Sequence, residues 1–209
     1  MSLINRVALV AATALSAVAL YDAAQMGFTG TTSGFSDEFG MTPMMIVGGL
    51  AHGVTYAALV AVLVVQGARI DAGSPVRRWI RRLLVLDFGL LAALFLVGTP
   101  FLPALEQAGW GGVTSAIGDT SFLLMFALAV ALGVASVRRP ELRAAALVLI
   151  GTVPLIGLAV GLGALGSGFA HPAYPEAAVY LGVALLAHRV APLRTPVAAQ
   201  PVLTPQSAA

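Results

Sequence analysis

The sequence predicts an all-α fold: a polytopic transmembrane helical bundle of about six spans, with both termini in the cytoplasm. Three observations predict it. Of 209 residues, 59% are hydrophobic and only 10% are charged, with a mean hydropathy of +0.94. A soluble domain carries about 25% charged residues, so this chain is too poor in charge to cover its own surface in water. The apolar residues fall in runs near the ~20 residues that one helix needs to cross the hydrocarbon core. The cations fall in alternate connections between those runs. A transmembrane β-barrel is disfavoured, because the runs lack apolar/polar alternation.

The spans follow in order. The first covers about 5–26, and Arg6 and Asp22 bracket its apolar run, Val7–Leu20. One arginine before a short apolar core also describes a signal peptide; a retained helix is the expected reading. A polar Gly/Thr/Ser loop with Asp37 and Glu38 leads to Thr42-Pro43, which reads as an N-cap with proline at the first helical position. The second span covers about 43–65, and 66–78 reads as a loop carrying Gly73-Ser74-Pro75. The third covers about 79–101 and is expected to end at the breakers Pro100 and Pro103. The fourth covers about 115–137, stopped by Arg138-Arg139-Pro140. The fifth covers about 142–165, with Pro154 expected to kink it. Its Gly157 and Gly161, four residues apart, offer a face for close helix packing with a membrane-protein partner or a second copy. The sixth is the shortest, about 172–188, and 192–209 reads as a disordered cytoplasmic tail in a single-domain chain.

The arginines set the orientation. Arg6 precedes span one. Arg69, Arg77, Arg78, Arg81 and Arg82 lie between spans two and three, and Arg138, Arg139 and Arg143 between four and five. Arg189 and Arg194 follow span six. The other three connections have no arginine. With six spans every cation is on one side, which the positive-inside rule assigns to the cytoplasm of a bacterial inner membrane. Within this set Arg77, Arg78, Arg81 and Arg82 share one helical face around Trp79. That pattern is a collar for lipid head groups, with the indole at the interface. The basic pI therefore points to the bilayer and not to nucleic acid.

Cysteine and lysine are both absent. This excludes thiolate metal sites, cysteine nucleophiles, Schiff bases and P-loop chemistry. No cofactor is implied. Ionisable residues inside apolar spans are costly and often functional, and few occur here. His52 lies in span two, ~13 Å from its outer boundary, and Asp87 lies in span three, ~12 Å from the inner one. In a ~30 Å core they differ in height by ~5 Å or more, so a His52–Asp87 pair is not required. Each also has a bland reading: an ion pair with a nearby arginine for Asp87, and a bond to a backbone carbonyl for His52.

Six of the nine acidic residues, including Asp119 and Glu176, fall toward the outer side, joined by His171. Glu176 in the first turn of span six suits the helix dipole. A plain solvated surface, an acidic vestibule for a cationic solute and a weak metal set of His171, Glu176 and Asp119 are the alternatives. No HxxxH or HExxH spacing supports the metal. A zinc-dependent hydrolase is disfavoured too, since His171 and His188 are ~25 Å apart along one helix. No three-plus-three internal repeat of the transporter kind is evident.

Two principal readings remain. One is a small carrier or ligand-binding protein with a polar site among spans two, three, four and six, using His52, Asp87 and Asp119. The other is a non-catalytic accessory subunit packing through its glycine-rich fifth span. A membrane-embedded metal-dependent hydrolase ranks third.

Overall fold

The structure, a computed structural model, describes residues 2–33 and 43–188. The expected cap at Thr42, the acidic loop of Asp37 and Glu38, and the C-terminal tail with Arg189 and Arg194 lie outside the described residues. Among the described residues the fold is all helical, with no strand. Its elements are α1 (Leu3–Thr29), α2 (Pro43–Val65), the one-turn α3 (Gly67–Asp71), α4 (Pro75–Ala93), a π-helical segment (Leu94–Gly98), α5 (Thr99–Gln107), α6 (Gly111–Ser136), α7 (Arg143–Ile150), α8 (Thr152–Ala164) and α9 (Ala173–Leu185).

Five helical stretches among these residues are long and apolar enough to cross a membrane: Leu3–Thr29, Pro43–Val65, Pro75–Phe101, Gly111–Ser136 and Arg143–Ala164. They expose large apolar side chains along their length, among them Val10, Val54, Leu86, Leu123 and Val160. Patches of this extent are rare on soluble monomers and are ordinary where the solvent is lipid. The five helices are thus compatible with an integral membrane protein.

The expected sixth span behaves differently. α9 has thirteen residues, about 20 Å of helix, and is shorter than the other five. Ten of the thirteen are buried, whereas α8, of equal length, buries only Thr152. α9 is therefore the core helix, and α1, α2, α6, α7 and α8 pack around it. Glycine permits the closest approach: a Cβ on Gly182 of α9 would stand 2.5 Å from Leu149 Cδ2 of α7.

Three boundaries differ from the sequence expectation, each for a backbone reason. The 66–78 connection is mostly helical. α3 ends in a tight turn with Ala72 and Gly73 at φ 39° and 81°, and α4 begins at Pro75, ahead of Trp79. Ser74 caps it by accepting a bond from Arg77 N, and proline occupies the first turn, where its missing N–H removes no helical bond. The apolar stretch of the third span ends at Phe101, as expected, but the helical backbone does not stop at Pro100 and Pro103. Those residues supply no N–H to the preceding turn, and the helix widens there. Thr99 N bonds Leu94 O, five residues back, and the chain resumes as α5 to Gln107. Pro154 leaves the Ile150 carbonyl without a helical donor, so the interruption appears one turn earlier, at Gly151 between α7 and α8.

The described arginine-bearing connections gather at one end of the bundle. Asn5 Nδ2 donates to Ala187 O at 3.3 Å, tying the start of α1 to the end of α9. The Arg69 guanidinium donates to Leu186 O, Glu141 O and His188 O at 2.9–3.0 Å, closing the C-terminal end of α9, where cations suit the helix dipole. Arg77 reaches Ala135 O of α6. At the opposite end, His171 Nε2 lies 3.3 Å from Asp22 Oδ2, and Asp22 Oδ1 accepts from Ser33 N at 2.8 Å.

Candidate functional site

Polar side chains in the apolar interior arise where α2, α4, α6 and α9 meet. Tyr56 projects from α2 and Tyr180 from α9, and their hydroxyls are 2.9 Å apart. Tyr56 also donates to Met125 Sδ of α6 at 3.7 Å. Both tyrosines are fully enclosed, with Phe88 and Phe95 of the α4 stretch 5.6 and 5.9 Å from the Tyr56 ring.

Two acids flank this pair. Glu176 lies one turn before Tyr180 on α9, with 8% of its surface exposed. Its carboxyl is near enough to act electrostatically on both tyrosines. Asp87, 5% exposed on α4, has Ser121 of α6 beside it and acts on Tyr56. Its Oδ2 is buried without a hydrogen-bond partner. An orphaned acceptor of this kind costs far more inside a low-dielectric core than at a surface.

No arginine pairs with Asp87 among the described residues, although Arg81 and Arg82 are only six and five positions before it. Arg81 instead grips Asp71 through Nε and Nη2, at 2.8 and 2.9 Å. Arg82 lies over the Trp79 ring. The bonds from Arg81 hold the Asp71 carboxyl below the usual aspartate range. The expected collar is therefore divided. Arg77 and Arg81 turn inward onto Asp71 and backbone carbonyls, while Arg78, Arg82 and Trp79 remain exposed.

The other sequence candidates do not converge on the centre. His52 Nδ1 is bonded to Gly48 O at 2.9 Å, and its ring stacks on Phe95 at 5.1 Å. Phe95 is eight residues beyond Asp87 on the same helical stretch, about 12 Å in height, so His52 sits well above Asp87. Asp119 is exposed on α6, next to Ser115. His171 faces Asp22 and accepts Ala173 N on Nδ1. With that nitrogen accepting, the ring proton sits on Nε2, directed at Asp22. The set His171, Glu176 and Asp119 is not brought together, and no group of three metal-binding side chains forms among the described residues. Gly157 and Gly161 have open space where a Cβ would be.

Sequence reasoning assigned Glu176 to the outer surface and gave Tyr56 and Tyr180 no role at the site. The spacing Glu176–Tyr180 (i, i+4) does put both on one face of α9, as His52–Tyr56 does on α2. What hid their depth is the low start of α9. His171 meets Asp22, seven residues or about 10 Å below the end of α1. The first turn of α9 is therefore inside the bundle.

No known family, curated protein or solved structure compared with this chain matches it.

Proposed function

We propose that the chain is a small carrier or ligand-binding protein of the cell membrane, with both termini cytoplasmic and a polar site among spans two, three, four and six. The observation that carries this reading is Asp87, a buried carboxyl with an oxygen that nothing else in the described chain satisfies. A structural acid in lipid is normally given a partner. Here the nearby arginines are used elsewhere. Asp87, Glu176, Tyr56 and Tyr180 form the working site, with Ser121 beside Asp87. His52 lies one turn from Tyr56, toward the arginine-free end. Asp119 and the Asp22–His171 pair line that end and are available to attract a cationic solute. Arg78, Arg82 and Trp79 are placed to contact lipid head groups.

A second reading has its own support. α8 is almost wholly exposed and presents Gly157 and Gly161 uncovered, as an accessory subunit or a self-associating protein would require.

The test is uptake of labelled methylammonium and of a labelled amino-acid mixture into cells expressing matched amounts of the wild type, Asp87→Asn or His52→Ala. The carrier reading expects Asp87→Asn to lose uptake by tenfold or more and His52→Ala to be impaired. If both variants fold and behave as wild type, the reading fails.

A further inference from the structure

The central site is built almost without space. Tyr56, Tyr180, Phe88 and Met125 are enclosed to within 1%. Two surface hollows are lined by other residues: one by Leu90, Ile117 and Ser121 between α4 and α6, the other by Phe126, Val160 and Pro172 beside α8. A solute that binds between Asp87 and Glu176 must first push the helices apart, whereas a proton needs no cavity. Resting on the carrier reading, we propose that the coupling ion of this site is the proton, taken up and released by Asp87 and Glu176 on either side of the Tyr56–Tyr180 hydroxyl pair.

The surroundings support this choice over a metal cation. A sodium or calcium ion needs several oxygen ligands in one shell, and no group of three metal-binding side chains forms among the described residues. Protonation turns the orphaned Asp87 carboxylate into a group with its own O–H donor and removes its charge from the apolar interior. The two tyrosine hydroxyls bond each other between the helices that pack beside the acids, and neither needs to ionise. Each uptake brings one proton and one positive charge from water to a carboxylate oxygen, and each release returns both.

The neighbouring helices carry these charged and titratable groups. α2 brings Tyr56 to the pair and holds His52, one turn away, on Gly48 O and Phe95; α9 brings Glu176 and Tyr180, with Tyr174 in its first turn; and α3 turns Arg69 onto Leu186 O. α6 brings Ser121 and Met125, with its one acid, Asp119, outside. α1 holds Asp22 against His171 and Arg6 at the opposite end, α3 holds Asp71 with Arg81, α7 has only Arg143 at its start, and α8 carries no charge. The hollow between α4 and α6 reaches Ser121, the buried hydroxyl beside Asp87.

Infrared absorption of the purified chain in nanodiscs tests the inference directly. At neutral pH the wild type is expected to show carbonyl stretching of neutral carboxylic acid. Asp87→Asn removes one part of it, Glu176→Gln removes another, and the double variant abolishes it. Tyr56→Phe moves its frequency. Asp87→Glu, which keeps a carboxyl in place, retains the band and guards against misfolding of Asp87→Asn. Absence of the band from wild type, or its survival at full intensity in either single variant, overturns the inference. Uptake without the band sinks the proton assignment alone. The band without any uptake sinks the carrier reading alone.

Discussion

The hydroxyls of Tyr56 and Tyr180 stand 2.9 Å apart and are the described side-chain hydrogen bond that joins α2 to the central helix α9. The two partners are not equivalent. Tyr56 keeps Met125 Sδ if Tyr180 is lost, whereas loss of Tyr56 removes the described partner of the Tyr180 hydroxyl. Tyr56→Phe should therefore cost about 1–3 kcal/mol, and Tyr180→Phe about 0.5–1.5 kcal/mol. The double variant should cost less than the sum, because each single change already breaks the shared bond. Unfolding in mixed micelles measures all three, and strict additivity would show that the bond contributes nothing.

Asp71 and Arg81 hold the arginine-rich end together. The folded carboxyl titrates below its ordinary value, so the unfolded chain takes up its proton first as pH falls. The contribution is fully present above about 3.9, the ordinary aspartate value, and is lost as pH drops through the folded one. Asp71→Asn should lower stability by about 1–3 kcal/mol at neutral pH and by progressively less in acid. Melting curves from pH 7 to pH 3 check this, and a constant difference between wild type and variant would count against the assignment.

Glycines should divide by their surroundings. A Cβ on Gly53 of α2 would stand 2.6 Å from Leu96 Cγ and 3.0 Å from Leu96 N in the π-helical segment. Backbone must move there, so Gly53→Ala should cost about 1–3 kcal/mol. Gly157→Ala and Gly161→Ala meet nothing and should be neutral or stabilising for the isolated chain, since alanine is the better helix former. If Gly157→Leu leaves the monomer stable but abolishes a crosslinked species in membranes, the exposed face of α8 is an interface.

The cysteine-free sequence makes the membrane orientation measurable. Gln107→Cys and Pro140→Cys are exposed positions, Gln107 in the arginine-free connection between α4 and α6 and Pro140 in an arginine-bearing one. A membrane-impermeant maleimide added to intact cells should label the first and spare the second. The reverse pattern, or equal labelling, would remove the basis for placing both termini in the cytoplasm.

Some of this was legible without coordinates. The run at 43–65 is helical throughout and ends at Val65 as the sequence predicts, because unbroken hydropathy is a local property. The grouping of the cations is also local: guanidinium avoids hydrocarbon wherever the chain folds. Breakers were read less well. Pro100, Pro103 and Pro154 mark where donors are missing, but a helix held by its neighbours widens or breaks a turn upstream and then continues.

The sequence by itself determined an all-helical, lipid-compatible chain with its positive charge confined to alternate connections, because hydropathy and charge act on each segment independently. The tertiary structure alone decided which polar residues meet. The low start of α9 draws Glu176 inward, Arg81 turns to Asp71 and leaves Asp87 without an arginine, and His171 goes to Asp22 rather than to another acid. Those outcomes depend on the relative height and facing of separate helices, which no single helix encodes.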